Sequence, residues 1–128
     1  MKFTIIALLG AYFSAVNAYT LTPSLNWEDA NDWCITNGHH HLYVPKQDTL
    51  ARAVEACRGD NCWIGVHRDR SHNENFSAVD YSEFYIVWYG AQPNGAGAKV
   101  QDCVSLNKRS SQMNDSNCEI KKFGICQN

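Results

Sequence analysis

Three short stretches in the last third of the chain are rich in side-chain oxygen atoms. They are Gln92-Pro93-Asn94, Gln101-Asp102-Cys103, and Asn114-Asp115 just before Cys118. All three lie in turn-forming sequence, and a bond between Cys103 and Cys118 would draw them to one place. Amide and carboxylate oxygens are the ligands that hard cations such as calcium prefer. The pattern therefore predicts a cation site.

The same sequence contains no recognisable catalytic constellation. Serine, histidine and aspartate are all present, but nothing resembles a nucleophile elbow, a phosphate-binding loop or a paired-carboxylate motif. We expect disulfides to occupy the cysteine thiols. The sequence therefore predicts a protein that is not an enzyme.

The N-terminus has the pattern of a secretory signal peptide. A lysine at position 2 precedes an apolar run over residues 5–9, and the small residues Val16 and Ala18 stand before a natural cleavage point. We expect cleavage after Ala18, which makes residues 1–18 the signal peptide and residues 19–128 the secreted product. The apolar run is too short to span a bilayer, so we expect an extracellular protein without membrane insertion.

The length and charge of residues 19–128 limit the function classes. Without its 18-residue leader the 128-residue chain is long enough for one domain and too short for a second core. Loss of Lys2 changes the formal net charge from −2 to −3, and no basic stripe is visible. Nucleic acid and anionic membranes are therefore poor candidates as partners.

All 6 cysteines lie after the leader, at positions 34, 57, 62, 103, 118 and 126. An even number behind a signal peptide predicts disulfides, but six cysteines permit 15 pairings and their spacing does not choose among them. A zinc site is the competing interpretation. It is disfavoured because no pair has the two-residue gap of a zinc ribbon and because the expected compartment is oxidising.

Two helices are predicted in the first half of the domain. Asn26 is a suitable N-cap for a helix with apolar residues at 27, 30, 33 and 34, which should end at Asn37-Gly38. A second helix should begin after Asp48 as N-cap and close at Arg58-Gly59. Short β-prone runs stand at 19–21, 63–66, 84–88, 103–106 and 123–126. Helices followed mostly by strands predict an α+β domain.

An ordered set of motifs resembles one known family. It comprises Trp27-x-x-Ala30-x-x-x-Cys34, Gly38 with His41-Leu42, Trp63-Ile64-Gly65, Trp88 before Gln92-Pro93-Asn94, Asp102-Cys103-Val104, Asn114-Asp115-x-x-Cys118 and Ile125-Cys126. In this order and at these distances it resembles the C-type lectin-like domain, over the whole of residues 19–128. The resemblance implies a disulfide-stapled α+β fold with two helices, small antiparallel sheets and a long ligand-binding loop.

The resemblance also implies a disulfide pairing and a ligand set. The bridges would be Cys34–Cys126, Cys103–Cys118 and, by remainder, Cys57–Cys62. The family's sugar-binding members hold calcium at positions that match Gln92, Asn94, Gln101, Asn114 and Asp115, and the same residues would bind the carbohydrate. Pro93 resembles the family's cis-proline, which turns the side chains on either side of it in the same direction.

Three departures from the family pattern weaken the expected site. The turn is Gln-Pro-Asn and holds no carboxylate, Gln101 stands where glutamate is usual, and Met113 replaces a tryptophan. Oxygen donors remain at all five positions, but Asp115 is the only anion among them. Because calcium affinity follows ligand charge, we expect weak binding, on the order of millimolar. The leading hypothesis is therefore a carbohydrate-binding or glycoprotein-binding lectin with one weak calcium site. The alternative is a loop that keeps the family's shape and has lost the ion.

A second motif supports a different function. Arg58-Gly59-Asp60 lies between Cys57 and Cys62 and resembles the constrained tripeptide of integrin ligands. The alternative is structural, since glycine is a natural helix cap and Asp60-Asn61 a natural turn. A calcium-independent protein binder is thus the second hypothesis, and ice binding, also found in the family, is the third.

Two glycosylation sequons are present, at Asn75 and at Asn114. Asn75 lies in a polar stretch where a glycan is acceptable. A glycan on Asn114 would remove a calcium ligand, so glycosylation and calcium binding at Asn114 exclude each other.

Overall fold

The structure is a computed structural model and describes residues 19–69, 75–93 and 102–128. The predicted signal peptide, 1–18, lies outside the described residues. The elements in chain order are helix α1 (Trp27–Thr36), helix α2 (Leu50–Ala56) and strands β1 (Asn61–Arg68), β2 (Phe76–Ala78), β3 (Cys103–Asn107) and β4 (Met113–Ser116). No helix among the described residues is both long and apolar enough to cross a bilayer.

Helix α1 confirms the sequence prediction at both ends. Asn26 is the N-cap, and its side-chain oxygen accepts a hydrogen bond from the backbone N–H of Asp29. The helix stops at Thr36, and Gly38 follows with φ +87°, a conformation that favours glycine. Ala30 and Cys34 are buried on the inner face, which places the first disulfide cysteine against the sheet.

Helix α2 forms where it was predicted, but the prediction of its cap was wrong. Thr49, not Asp48, is the N-cap, and no side chain caps the first turn. The Thr49 hydroxyl instead lies 2.8 Å from the hydroxyl of Tyr43. The C-terminal end lies earlier than predicted, at Ala56, because Cys57 is already extended with ψ 133°.

The four strands form one antiparallel sheet in the order β2-β1-β3-β4. The predicted runs at 19–21, 84–88 and 123–126 do not form strands. They make isolated bridges such as Leu21↔Ile125 and Trp88↔Met113. The reason is that their backbone groups bond to several different segments in turn, so no continuous ladder develops.

Buried side chains cover both faces of the sheet. One cluster includes Ile64, Val104 and Met113 and packs against helix α2, and the other includes Trp63 and Cys103 and packs against helix α1. Gly65 lies in β1 so close to Leu42 that an added Cβ would overlap the Leu42 carbonyl oxygen. The sheet, packed on both faces, is thus the rigid support for β4 and for the segment between β2 and β3.

Three disulfides are present, and they have the pairing that the family resemblance implied. Cys34–Cys126 joins residues 92 positions apart, Cys103–Cys118 residues 15 apart, and Cys57–Cys62 residues 5 apart. The described residues contain no free cysteine. The zinc interpretation is therefore wrong, because every thiol is used in a disulfide.

Candidate functional site

Asp115 is the charged centre of the predicted calcium site. It pairs with Val104 across the β3–β4 ladder, and only 4% of its surface is exposed. The burial pattern of β4 alternates, with Met113 and Asp115 inward on one face. The carboxylate is therefore fixed on the rigid sheet, on the same face as the larger hydrophobic cluster.

The Gln92 turn is attached directly to β4. Trp88 forms a parallel bridge with Met113, and the N–H of Tyr89 donates to the Met113 carbonyl over 2.9 Å. A tight turn follows, closed by a 2.9 Å bond from the Gln92 N–H to the Tyr89 carbonyl, with Gly90 at φ +53°. The turn therefore begins next to Met113, two residues before Asp115 in β4. The predicted cis peptide before Pro93 is present.

Gln92 has a side-chain oxygen without a partner. Its Oε1 is shielded from solvent, and no donor among the described residues reaches it. Leaving such an acceptor buried and unsatisfied costs about 1–3 kcal/mol. A cation that coordinates this oxygen would remove the cost. The side chain of Gln92 therefore fits the role of a calcium ligand.

Asn114 is oriented by a neighbour that the sequence did not single out. Its Nδ2 donates to Oδ1 of Asn61 over 3.0 Å, and the side chain is half-buried. Oδ1 is the atom that remains for a cation. As successive strand residues, Asn114 and Asp115 leave β4 on opposite faces, so the strand register alone does not bring their side chains together. Asn61 carries no sequence signal beyond its place next to Cys62.

The same bond bears on the sequon at Asn114. An N-linked glycan attaches to Nδ2, which here is half-buried and bonded to Asn61. Asn75, in contrast, is exposed. Glycosylation therefore remains a prediction for Asn75 and is disfavoured at Asn114.

The start of β3 is fastened to the end of β1 next to the site. The Arg68 N–H donates to the Asp102 carbonyl over 2.6 Å, and its Nε lies 3.4 Å from the Asp102 carboxylate. The guanidinium carbon lies 4.4 Å from the ring centroid of Phe76, which in turn lies 5.1 Å from that of Trp88. This stack holds Asp102 and Trp88, which stand on either side of the long loop.

The remaining predicted ligands, Asn94 and Gln101, lie outside the described residues. Within the described residues, no group of three or more histidine, cysteine, aspartate or glutamate side chains could hold a metal. The predicted calcium site would thus be built mainly from amide oxygens around the single carboxylate of Asp115. This composition suits calcium, which accepts amide carbonyls, and does not suit zinc.

The pKa of His67, which pairs with Cys103 across the β1–β3 ladder, differs from its ordinary value. Its ring stacks on Trp27 with centroids 4.8 Å apart. Burial lowers the pKa of His67 below its ordinary value, while the carboxylates of Asp69 and Asp102 partly oppose this by raising it. The imidazole is therefore held neutral at the pH of extracellular fluid.

The Arg58-Gly59-Asp60 loop is fully displayed. All three residues are exposed, and Gly59 has φ +84°. Lys108 clamps the loop, because its N–H donates to the Asp60 carbonyl and its Nζ to the Cys57 carbonyl. The guanidinium of Arg58 lies 5.9 Å from the ring centroid of Phe123.

The family model of the lectin C-type domain matches residues 23–128. The chain belongs to the C-type lectin domain family. This family is generally non-enzymatic, and the observed fold, two helices with a small antiparallel sheet and three disulfides, is that of its members.

One curated relative is C-type lectin domain family 4 member F of Rattus norvegicus. It is 27% identical over 121 residues, which cover 91% of this chain. This C-type lectin domain protein spans only 22% of the length of that relative. The likeness therefore concerns the domain.

Two solved structures with this fold belong to proteins of different kinds. The carbohydrate-recognition domain of cow CD23, solved in the presence of a GlcNAc2Man3 oligosaccharide, is 21% identical with a TM-score of 0.72, and the match covers 84% of each chain. A calcium-independent type II antifreeze protein is 18% identical with a TM-score of 0.71, covering 84% of this chain and 82% of the other. The fold of this lectin-family domain alone therefore does not choose between a carbohydrate-recognition domain and an antifreeze protein.

Proposed function

We propose that this C-type lectin domain is a secreted carbohydrate-binding protein that recognises sugar through one weak calcium site. The observation that carries the proposal is the buried, unpartnered Oε1 of Gln92, in a turn whose first residue, Tyr89, is hydrogen-bonded to Met113 of β4, the strand that holds Asp115. A loop that had lost its ion would gain by pairing or exposing that oxygen. The site would use Gln92, Asn94, Gln101, Asn114 and Asp115.

The chemistry of these residues explains both the ion and its weakness. Calcium takes six to eight oxygen ligands and, when bound, would also accept the neighbouring hydroxyls of a sugar. The amides of Gln92 and Asn114 can hydrogen-bond the same hydroxyls. Because Asp115 brings the only formal charge, the affinity for calcium is on the order of millimolar, a range that extracellular modules use.

A glycan array tests this function directly. The wild-type domain is applied with calcium and with a chelator, next to Asp115→Asn. A matched control, Asp32→Asn, removes an exposed carboxylate from helix α1. We expect glycan binding that the chelator and Asp115→Asn weaken strongly and that Asp32→Asn leaves intact. Glycan binding equal in calcium and in chelator would refute the calcium site.

A second candidate function is adhesion to an integrin through Arg58-Gly59-Asp60. The observation in its favour is that all three residues are exposed in a loop closed by Cys57–Cys62 and clamped by Lys108. Such constraint lowers the ordering cost of binding. Cells should adhere to the immobilised wild-type domain and should not adhere to the immobilised Asp60→Glu variant. Adhesion unchanged by Asp60→Glu excludes this function.

A further inference from the structure

A polar groove of about 380 Å³ lies between three segments that are distant in sequence. It is lined by Asp60, Asn61, Tyr89, Asn107, Arg109 and Ser110, here called the Tyr89 groove. Neither Gln92 nor Asp115 lines it. Its size falls within the range of small-molecule sites, roughly 300–1,000 Å³.

The two asparagines of the Tyr89 groove have their oxygens committed. Oδ1 of Asn61 accepts from Asn114, and Oδ1 of Asn107 accepts from the backbone N–H groups of Arg109 and Ser110. Neither Nδ2 donates to any partner in the described part of the chain. Each asparagine therefore lines the groove with its oxygen held by a hydrogen bond and its Nδ2 donor available to a ligand.

The charges of the groove have opposite signs and are not paired with each other. Asp60 and Arg109 are both exposed, and among the residues that the structure describes they form no ion pair. Asp60 would repel an anionic ligand, and Arg109 would repel a cationic ligand. A neutral ligand with hydroxyl groups suits both, because a hydroxyl donates to carboxylate and accepts from guanidinium.

Tyr89 supplies an apolar surface next to these polar groups. It is 48% exposed, yet its backbone is fixed by bonds to Met113 and Gln92. A held aromatic ring presents a large contact area at little entropic cost. An aromatic face beside directed donors and one acceptor matches the two sides of a pyranose ring, one apolar and one hydroxylated.

We infer that the Tyr89 groove binds a neutral pyranose unit of a glycan without calcium. The inference does not rest on the calcium site, since it uses different residues and no ion. It gives the domain a second contact with a branched or extended glycan. Linking two weak contacts on one ligand raises the apparent affinity beyond that of either.

The test is an NMR titration of the 15N-labelled domain, residues 19–128, in the presence of a calcium chelator. The probes are methyl mannopyranoside, methyl galactopyranoside and methyl glucuronoside. We expect a neutral glycoside to shift the side-chain NH2 signals of Asn61 and Asn107 in a saturable way. Tyr89→Ala should weaken this binding about tenfold or more.

Two further variants make the result specific. Tyr81→Ala removes another exposed tyrosine, outside the groove, and should leave the affinity unchanged. Asn107→Asp keeps the oxygen that accepts from Arg109 and Ser110 but removes the Nδ2 donor, so it should weaken binding while the fold persists.

Several outcomes would overturn the inference. They are the absence of NH2 shifts with every probe, equal weakening by Tyr81→Ala and Tyr89→Ala, and tighter binding of the glucuronoside than of either neutral glycoside. Because the chelator disables the calcium site throughout, a failure here is distinguishable from a failure of the proposed lectin function.

Discussion

The side-chain amide of Asn114 donates to the side-chain oxygen of Asn61 over 3.0 Å, joining two residues 53 positions apart. The bond connects β4, which carries Asp115, to the first residue of β1, next to Asp60. One hydrogen bond thus joins Asn114, a residue of the proposed calcium site, to Asn61, which lines the Tyr89 groove.

Breaking this bond should have a measurable cost. Asn61→Ala removes the acceptor of the half-buried Asn114 amide, and we expect the free energy of unfolding to fall by about 1 kcal/mol. Asn61→Asp retains an acceptor oxygen and should lose less. Urea unfolding of both variants measures the difference, and equal losses would show that the bond does not stabilise β4.

Gly65 should be intolerant of any side chain. In Gly65→Ala the new Cβ would overlap the Leu42 carbonyl oxygen and press on Val79, so we expect a loss of about 1–3 kcal/mol. Gly59→Ala is the control, because its Cβ meets no atom within 4 Å and only its φ of +84° is strained. Thermal unfolding should place the Gly59 variant closer to wild type, and the reverse order would contradict the packing described for β1.

The three disulfides should differ in their contribution to stability. In the chain-entropy model the Cys34–Cys126 bridge contributes about 4–5 kcal/mol and the Cys57–Cys62 bridge only about 2. Replacing both Cys57 and Cys62 with alanine should therefore leave a folded domain. Circular dichroism of this variant is compared with that of the variant in which Cys34 and Cys126 are both alanine. The ranking would be contradicted if the Cys57/Cys62 variant were unfolded and the Cys34/Cys126 variant folded.

Stability should depend on pH through His67. Burial lowers its folded pKa below the unfolded value of about 6.5, so the unfolded chain binds more protons between the two values. The contribution is complete above the unfolded pKa and is lost as the pH falls through the folded one. Urea unfolding from pH about 7.5 to about 5 should show this loss.

Two histidine variants test whether His67 causes the pH dependence of stability. His67→Gln should flatten the pH profile, whereas His40→Gln, at an exposed position, should not. A His67→Gln profile as steep as that of wild type would show that another group is responsible.

Much of the scaffold could be predicted because its signals are local or belong to the family pattern. Asn26 and Gly38 act within one helical turn of the residues they cap, and the order of the cysteines in the motif set chose the pairing. The prediction that Asp48 caps helix α2 was wrong because the helix begins one residue later. Thr49 takes the N-cap position, and its hydroxyl bonds to Tyr43 instead of capping the helix. The strand at 84–88 failed because its backbone bonds are divided between Pro45 and Met113.

The detailed site could be predicted only in part. The oxygen-rich positions were visible in the sequence, and the cis peptide expected before Pro93 is present. The Asn61–Asn114 bond and the Tyr89 groove were not visible, because their members come from segments that meet only through the sheet register. Sequence spacing carries no information on such meetings.

The central claim is that calcium binds beside Asp115, and a calcium titration followed by tryptophan fluorescence tests it most directly. Trp88 reports on the site because it bridges to Met113, two residues before Asp115. We predict a saturable change with a midpoint on the order of millimolar, lost in Asp115→Asn and kept in Asp32→Asn. No change up to several times the extracellular calcium concentration would contradict the claim.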